Sequence, residues 1–330
     1  MTKADRRPTL VDVARLAGTS TAVVSYVLNG GPRPVAEPTR VKVEAAIRAL
    51  GYRRNPLAGG LSAGRTNLIG LLVPDSSNAF FSELSRHFEI EGHRRGFLTL
   101  LGNTNYDAET EAEYFRAFSD LRAAGTIVAS IGNHLPDHHD SPRIYVLSQA
   151  PGSTGASVRF DDHAGAVAAV EHLLEHGYDR VDCITGPEGR GPAADRARGW
   201  EDTVMAGTRA EGRLVQVSFN RSQAAREIQA VWRSEGVPRS VFATTDELAF
   251  ATIHAAADLG RRVPEDIGVI GFDGIREALH GRPPLTTVAA PIRMLAHRAL
   301  DVLEAWDDWG STVTETLDTA ITVGSTCGCR

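Results

Sequence analysis

The chemistry most legible in this 330-residue chain lies between Thr9 and Asn29. Thr9 and Ser20 belong to the set expected to contact DNA, and Ser20 is also of the kind that caps a helix. Thr21, Ala22, Ser25, Tyr26 and Asn29 recur at a spacing that places them along the outer side of one short helix. Their hydroxyls, amide and small apolar groups are the functions that reach phosphates and base edges in a DNA groove. No enzyme-like constellation accompanies them: GxSxG, Walker A and HExxH patterns are missing, and GPEGRG at 186–191 lacks dinucleotide-loop spacing. Two stretches carry metal-ligand types. HLPDHHD at 134–140 has the composition of a polar surface loop. The Cys327-Gly-Cys329 tail could take a metal or respond to oxidants, but with no further ligands nearby in sequence it reads as a poor zinc site. Neither a metal nor a cofactor is therefore expected.

The elements that must position the first set follow from apolar spacing. Leu10, Val13, Ala14 and Ala17 repeat on one helical face, Gly18 permits a tight turn, and Ser20 caps a second helix starting at Thr21. Val23, Val24, Val27 and Leu28 of that helix can pack inward. A third helix follows Pro38 through Val41, Ala45, Ile47 and Leu50 to a stop at Gly51. This is a helix-turn-helix head, whose second helix would enter a major groove. Charge agrees with it. Through Arg65 there are two Lys and nine Arg against two Asp and two Glu, a balance of +7 in a chain of −6, so the remainder carries −13. Such asymmetry suits a chain of which only the first part meets phosphate.

Residues 55–67, NPLAGGLSAGRTN, read as a linker. From IGLLVPD at 69–75 onward, strand-like runs (FLTLLGN, GTIVASIG, RIYVLSQ, RVDCITG, RLVQVSF, SVFATTD, DIGVIGFD) alternate with amphipathic helical stretches. The alternation predicts parallel sheets, and about 260 residues suit two doubly wound subdomains with a ligand cleft outside the strand C-terminal ends. The fold expected is an all-α head on an α/β body. The head spans 1–54, the hinge 55–66 and the body 67–330. There is no signal-like or membrane-spanning run and no disulfide framework, which points to a cytoplasmic protein associated with the nucleoid and not with a membrane.

The head TLVDVARLAGTSTAVVSYVLN, the stretch AAIRALGYRRNPLA, the junction GRTNLIGLLVPDSSNAFFSEL, and RRVPEDIGVIGFDG followed by PPLTTV stand together in an order and spacing that resembles the LacI/GalR family of bacterial transcription regulators. The likeness covers nearly the whole chain. It implies a homodimer whose paired heads bind a pseudo-palindromic double-stranded operator, with a body of periplasmic-binding-protein-like (type I) architecture sensing a small molecule, a sugar or sugar derivative. A repressor is the implied role.

Residue by residue, Thr21 and Ala22 match the family positions that read base edges, and Ser25 and Asn29 match positions nearer the backbone. Tyr26 stands where many members carry Arg, which makes a borrowed operator sequence unsafe. In the hinge, Asn55, Ala58 and Leu61 match the motif, Leu61 at the place of the leucine that wedges into the minor groove. Gly59 and Gly60 depart from the pattern, so the hinge is expected to order only on the operator. For the effector, Phe80 and Phe81 match an aromatic stacking position, and Asp161, Arg196, Phe219 and Asp246 match recurrent cleft positions. Asp273 lies in the GFDG motif, where Gly274 replaces a frequent second acid and Thr245 a frequent Asn. Arg196 suits a fork of hydrogen bonds to a ligand or, alternatively, a salt bridge. Asp246 suits sugar hydroxyls or a helix cap. The chain lacks a leucine-heptad tail, favouring a dimer over a tetramer. The competing reading is a cytoplasmic solute receptor or sugar-processing α/β protein with a basic extension.

Overall fold

A capping box opens the first helix. In the computed structural model, the Thr9 hydroxyl accepts from the Asp12 amide while the Thr9 amide donates to Asp12 Oδ2. The structure describes residues 8–30, 34–53, 66–129, 142–148, 154–187, 191–206, 211–306 and 313–329. Asn55, Ala58, Gly59, Gly60, Leu61, the 134–140 stretch, part of the 186–191 loop and the Asn29 side chain lie outside the described residues. The described chain divides into two compact units at Thr66/Asn67.

The first unit holds three helices: α1 (Leu10–Ala17), α2 (Thr21–Asn29) and α3 (Glu37–Leu50). Gly18 ends α1 at φ +65°, a left-handed turn that costs a residue with a Cβ but not glycine. Ser20 caps α2 by accepting from the Val23 amide at 3.3 Å. Val13, Ala14, Val24, Val43 and Ala46 form the buried centre, with Leu10, Ala17, Val27, Leu28, Ile47, Leu50 and Tyr52 packed around it. The third helix differs from expectation in phase. Val43, Ala46, Ile47 and Leu50 make its inner stripe at i, i+3, i+4, i+7, while Val41 is exposed and Ala45 stands outside the stripe.

The second unit holds two six-stranded sheets. In the first lobe, β1 (Leu68–Val73), β2 (Leu98–Asn103), β3 (Gly125–Val128), β4 (Arg143–Val146), β5 (Ala156–Phe160) and β11 (Thr314–Leu317) run parallel in the order β11-β5-β4-β3-β1-β2. In the second, β6 (Asp182–Thr185), β7 (Leu214–Gln216), β8 (Ser240–Ala243), β9 (Gly268–Asp273), β10 (Thr286–Ala289) and β12 (Ala320–Thr322) stand in the order β12-β10-β9-β8-β6-β7. There only the β10–β12 pair is antiparallel.

Helices α4 (Ala79–Arg94), α5 (Ala108–Asp120) and α11 (Ile292–Glu304) cover the first sheet; α6 (Asp162–Glu175), α7 (Pro192–Met205), α8 (Arg221–Glu235), α9 (Asp246–Asp258) and α10 (Arg276–His280) belong to the second lobe. Helix α11 buries Ile292, Leu295, Leu300 and Leu303 against α4, β4 and β5, worth roughly 1.5 to 3 kcal/mol per side chain. The chain passes between lobes three times, after β5, after β10 and between β11 and β12. Among the described residues, no helix is long and apolar enough to cross a membrane.

Candidate functional site

On the head, Thr21 and Ala22 are exposed on the first turn of α2. Ser25 and Tyr26 lie further along the helix and are half-buried. Tyr26 is not among the residues packed into the head core; Tyr52 takes that place. Ser20 spends its hydroxyl on its cap, and Thr9 donates its own to Asp12 Oδ2 at 2.7 Å. Thr21 and Ala22 are therefore the expected residues left clear to face a partner.

In the body, a cleft open to solvent is lined by Asn78, Phe80, Phe81, Tyr106, Leu147, Pro192, Ala193, Arg196, Phe219, Thr245 and Asp273. Each residue follows, or ends, a strand at its C-terminal end, where ligands of open α/β sheets collect. Asn78 caps α4 by accepting from the Phe80 amide, which brings Phe80 and Phe81 to the cleft as an edge-to-face pair with centroids 5.3 Å apart. From the opposite lobe, Phe219 stacks nearly parallel on Tyr106 at 6.0 Å and 7°. Gly186 makes room for Phe219, since a Cβ there would collide with its ring.

Arg196 sits on the second turn of α7, 2% exposed. Its Nε donates to Asp162 Oδ1 at 2.7 Å, and its Nη1 donates to the Thr244 carbonyl at 2.7 Å and Asp273 Oδ1 at 2.8 Å. The guanidinium lies 3.7 Å above the Phe272 ring. Nη2 has no protein partner among the described residues, while Nε and Nη1 hold the guanidinium in place. Burial pushes the Asp162 carboxyl up and that of Asp273 to about 6, even though the guanidinium opposes both shifts. Burial lowers the affinity of Arg196 for its proton, and the two carboxylates more than restore it.

Arg196 lines the cleft and is salt-bridged to Asp162 and Asp273. Phe80, Phe81, Phe219 and Asp273 join it. Asp161 and Asp246 do not. Asp161 accepts from the Ala164 amide as the cap of α6 and lines a separate hollow with Val288, Asp318 and Ile321. Asp246 is fully buried, with Oδ1 accepting from the Thr287 hydroxyl at 2.5 Å and Oδ2 from the Ile275 amide at 2.9 Å. Burial and the neighbouring Asp273 push its carboxyl well up. It is a fastener between elements, and Thr245 is the residue that both caps α9 and faces the cleft.

Sequence reasoning missed Tyr106, Leu147 and Asp162. Five described residues other than glycine have positive φ, and three of them line this cleft: Tyr106 (+61°), Leu147 (+86°) and Asp273 (+121°). Backbone held in such sparsely populated regions costs of order 1 to 3 kcal/mol per residue and gathers at binding sites. No residue type in the sequence announces it.

A capped three-helix head in one unit and an interlobe cleft in the other define a two-part protein of the periplasmic-binding-protein-like regulator class. Residues 9–55 match the model of bacterial regulatory proteins, lacI family, and residues 170–327 match a periplasmic binding protein-like domain. The chain is 32% identical over 304 residues to the HTH-type transcriptional repressor PurR of Vibrio atlanticus, covering 89% of this chain and 90% of that one. It is 33% identical over 301 residues to the HTH-type transcriptional regulator DegA of Bacillus subtilis, covering 87% and 88%. Among solved structures, it superposes on a lac repressor dimer bound to operator and the anti-inducer ONPF with a TM-score of 0.85, at 22% identity over 98% and 99% of the two chains. A transcriptional regulator CelR–cellobiose complex gives 0.69 at 25% identity over 97% and 100%. The chain belongs to the lacI family of bacterial regulatory proteins.

Proposed function

We propose that this protein is a ligand-responsive repressor of transcription, without enzymatic activity, that binds a pseudo-palindromic operator as a homodimer in the cytoplasm. Thr21 and Ala22 read base edges. Ser25 and Asn29 position the helix on phosphates, and Leu61 supplies a minor-groove wedge, with Asn55 and Ala58 in the same segment. Binding of a small carbohydrate-like effector in the body shifts the population of DNA-competent dimers.

The observation that carries the effector half is Arg196, locked by Asp162, Asp273 and Thr244 with Nη2 left open among aromatic walls. A ring with hydroxyls on its edge and C–H groups on its face fits such a mixed lining: Phe80, Phe81, Phe219 and Tyr106 take the face, and Arg196, Asn78 and Asp273 take the hydroxyls. Relatives named as repressors and a CelR structure holding cellobiose support the reading.

The test is selection of genomic fragments by the purified protein at two salt concentrations, followed by a carbohydrate screen for release of the recovered fragment. A recovered near-palindrome released by one sugar class is the expected result. Binding that is blind to sequence at both salt concentrations would sink the regulator reading.

A further inference from the structure

Far from the cleft, the last turn of α6 meets the segment that follows β12. His172 lies in that turn and His176 at its C-cap, one helical turn apart. Beyond β12, Cys327 is buried and Cys329 partly exposed, and neither is in a disulfide. The ligand atoms of these four side chains all lie within 4.8 Å of one another. The two imidazole Nε2 atoms are 3.3 Å apart. His172 Nε2 is 3.4 Å from Cys327 Sγ and 3.5 Å from Cys329 Sγ, and His176 Nε2 is 3.1 Å from Cys329 Sγ.

Those separations have a simple meaning. A tetrahedral zinc ion with bonds of about 2.0 to 2.1 Å to nitrogen and about 2.3 Å to sulfur separates its ligands by roughly 3.3 Å (N to N) and roughly 3.5 Å (N to S). Four of the six separations among these donors lie near those edge lengths, and all six are within 4.8 Å. We propose that His172, His176, Cys327 and Cys329 form a structural Cys₂His₂ zinc site that clasps the segment after β12 to helix α6.

The surroundings fit a closed structural site. Gly328, between the two cysteines, has φ +102°, a turn that brings both thiols to the same side and that a side chain would strain. The Thr286 hydroxyl lies 3.1 Å from Cys327 Sγ, placed to steady a thiolate, and Tyr178 donates to the Cys327 carbonyl at 3.3 Å. Thr326 ties the same segment to β9 and β10 through the Val269 carbonyl and the Thr286 amide. Two thiolates and two imidazoles select zinc over the hard cations, which prefer oxygen. Four protein ligands leave no open position for catalysis. The ion's effect is to hold the second lobe together at the end of α6 opposite Asp162, the partner of Arg196.

The test uses the full chain, purified under reducing conditions. Metal analysis after dialysis against a weak chelator should find one zinc per chain, and stripping with a strong chelator should lower the melting temperature until zinc is restored. Cys329→Ser and His176→Ala should each weaken zinc binding by about 100-fold, whereas His254→Ala, at an exposed histidine elsewhere, should leave it unchanged. Should either variant fail to fold, cobalt(II) titration of the unaltered chain reads the site directly, through tetrahedral d–d bands and a thiolate charge-transfer band that saturate at one equivalent. Absence of those bands, equal zinc in the variants, or a Cys327–Cys329 disulfide persisting in reducing buffer would each overturn the proposal.

Discussion

Arg196 is a charge removed from water, so its environment decides its worth. Replacing it with Met leaves Asp162 and Asp273 buried without their cation, and the loss of one partner of a buried pair costs about 3 to 5 kcal/mol. Urea unfolding of Arg196→Met should show that loss; a cost under about 1 kcal/mol would mean that water enters and replaces the guanidinium. Asp273 adds a pH dependence. Its carboxyl is raised from 3.8 to about 6 by burial, so between those values the folded protein holds a proton that the unfolded chain has released. The contribution of this group to stability is therefore greatest at low pH and falls as pH rises towards about 6. Because Asp162 and Asp246 are raised by burial as well, Asp273→Asn should reduce that slope without abolishing it in a series of melting temperatures taken across the window, and an unchanged slope would assign it to those two groups.

At the scale of elements, the proposed wedge gives the sharpest expectation: Leu61→Ala should weaken operator binding much more than binding to random DNA, and equal losses in a competition assay would exclude a role at the operator centre. The elements themselves were largely legible. Every strand-like run read from the sequence contains an observed strand, because buried parallel strands are near-continuous aliphatic runs such as LIGLLV and SVFA. ASVRF (β5), TTVA (β10), TETL (β11) and AIT (β12) escaped, being short and rich in small or hydroxylated residues.

The site was harder to read than the fold. Asp161 and Asp246 each stand one residue from a side chain that holds Arg196 or lines the cleft, Asp162 and Thr245, and at a helix start one residue is a rotation of about 100°. The histidine pair of α6 was invisible as a ligand set because Cys327 lies 155 residues beyond His172 and Cys329 lies 153 beyond His176, joined only by the fold.

For the whole molecule, contacts tie the two lobes across the cleft: Tyr106 stacks on Phe219, and the Arg276 amide donates to Glu83 Oε1 at 2.7 Å. Glu83→Ala removes one of these without touching the lining. It should shift the lobes towards an open form and weaken effector affinity by a few fold, about the 0.5 to 1.5 kcal/mol of one hydrogen bond, measured by calorimetry. No change in affinity would show that this contact does not discriminate between the two forms.

The three passages between lobes also bear on how the protein is made. The first sheet lacks its edge strand until Leu317 has left the ribosome, and the second until Thr322 has followed. Neither lobe can complete itself early and wait for the other. Both finish within a few residues of one another, so a nascent chain stalled anywhere between β10 and β11 exposes two unfinished sheet edges at once.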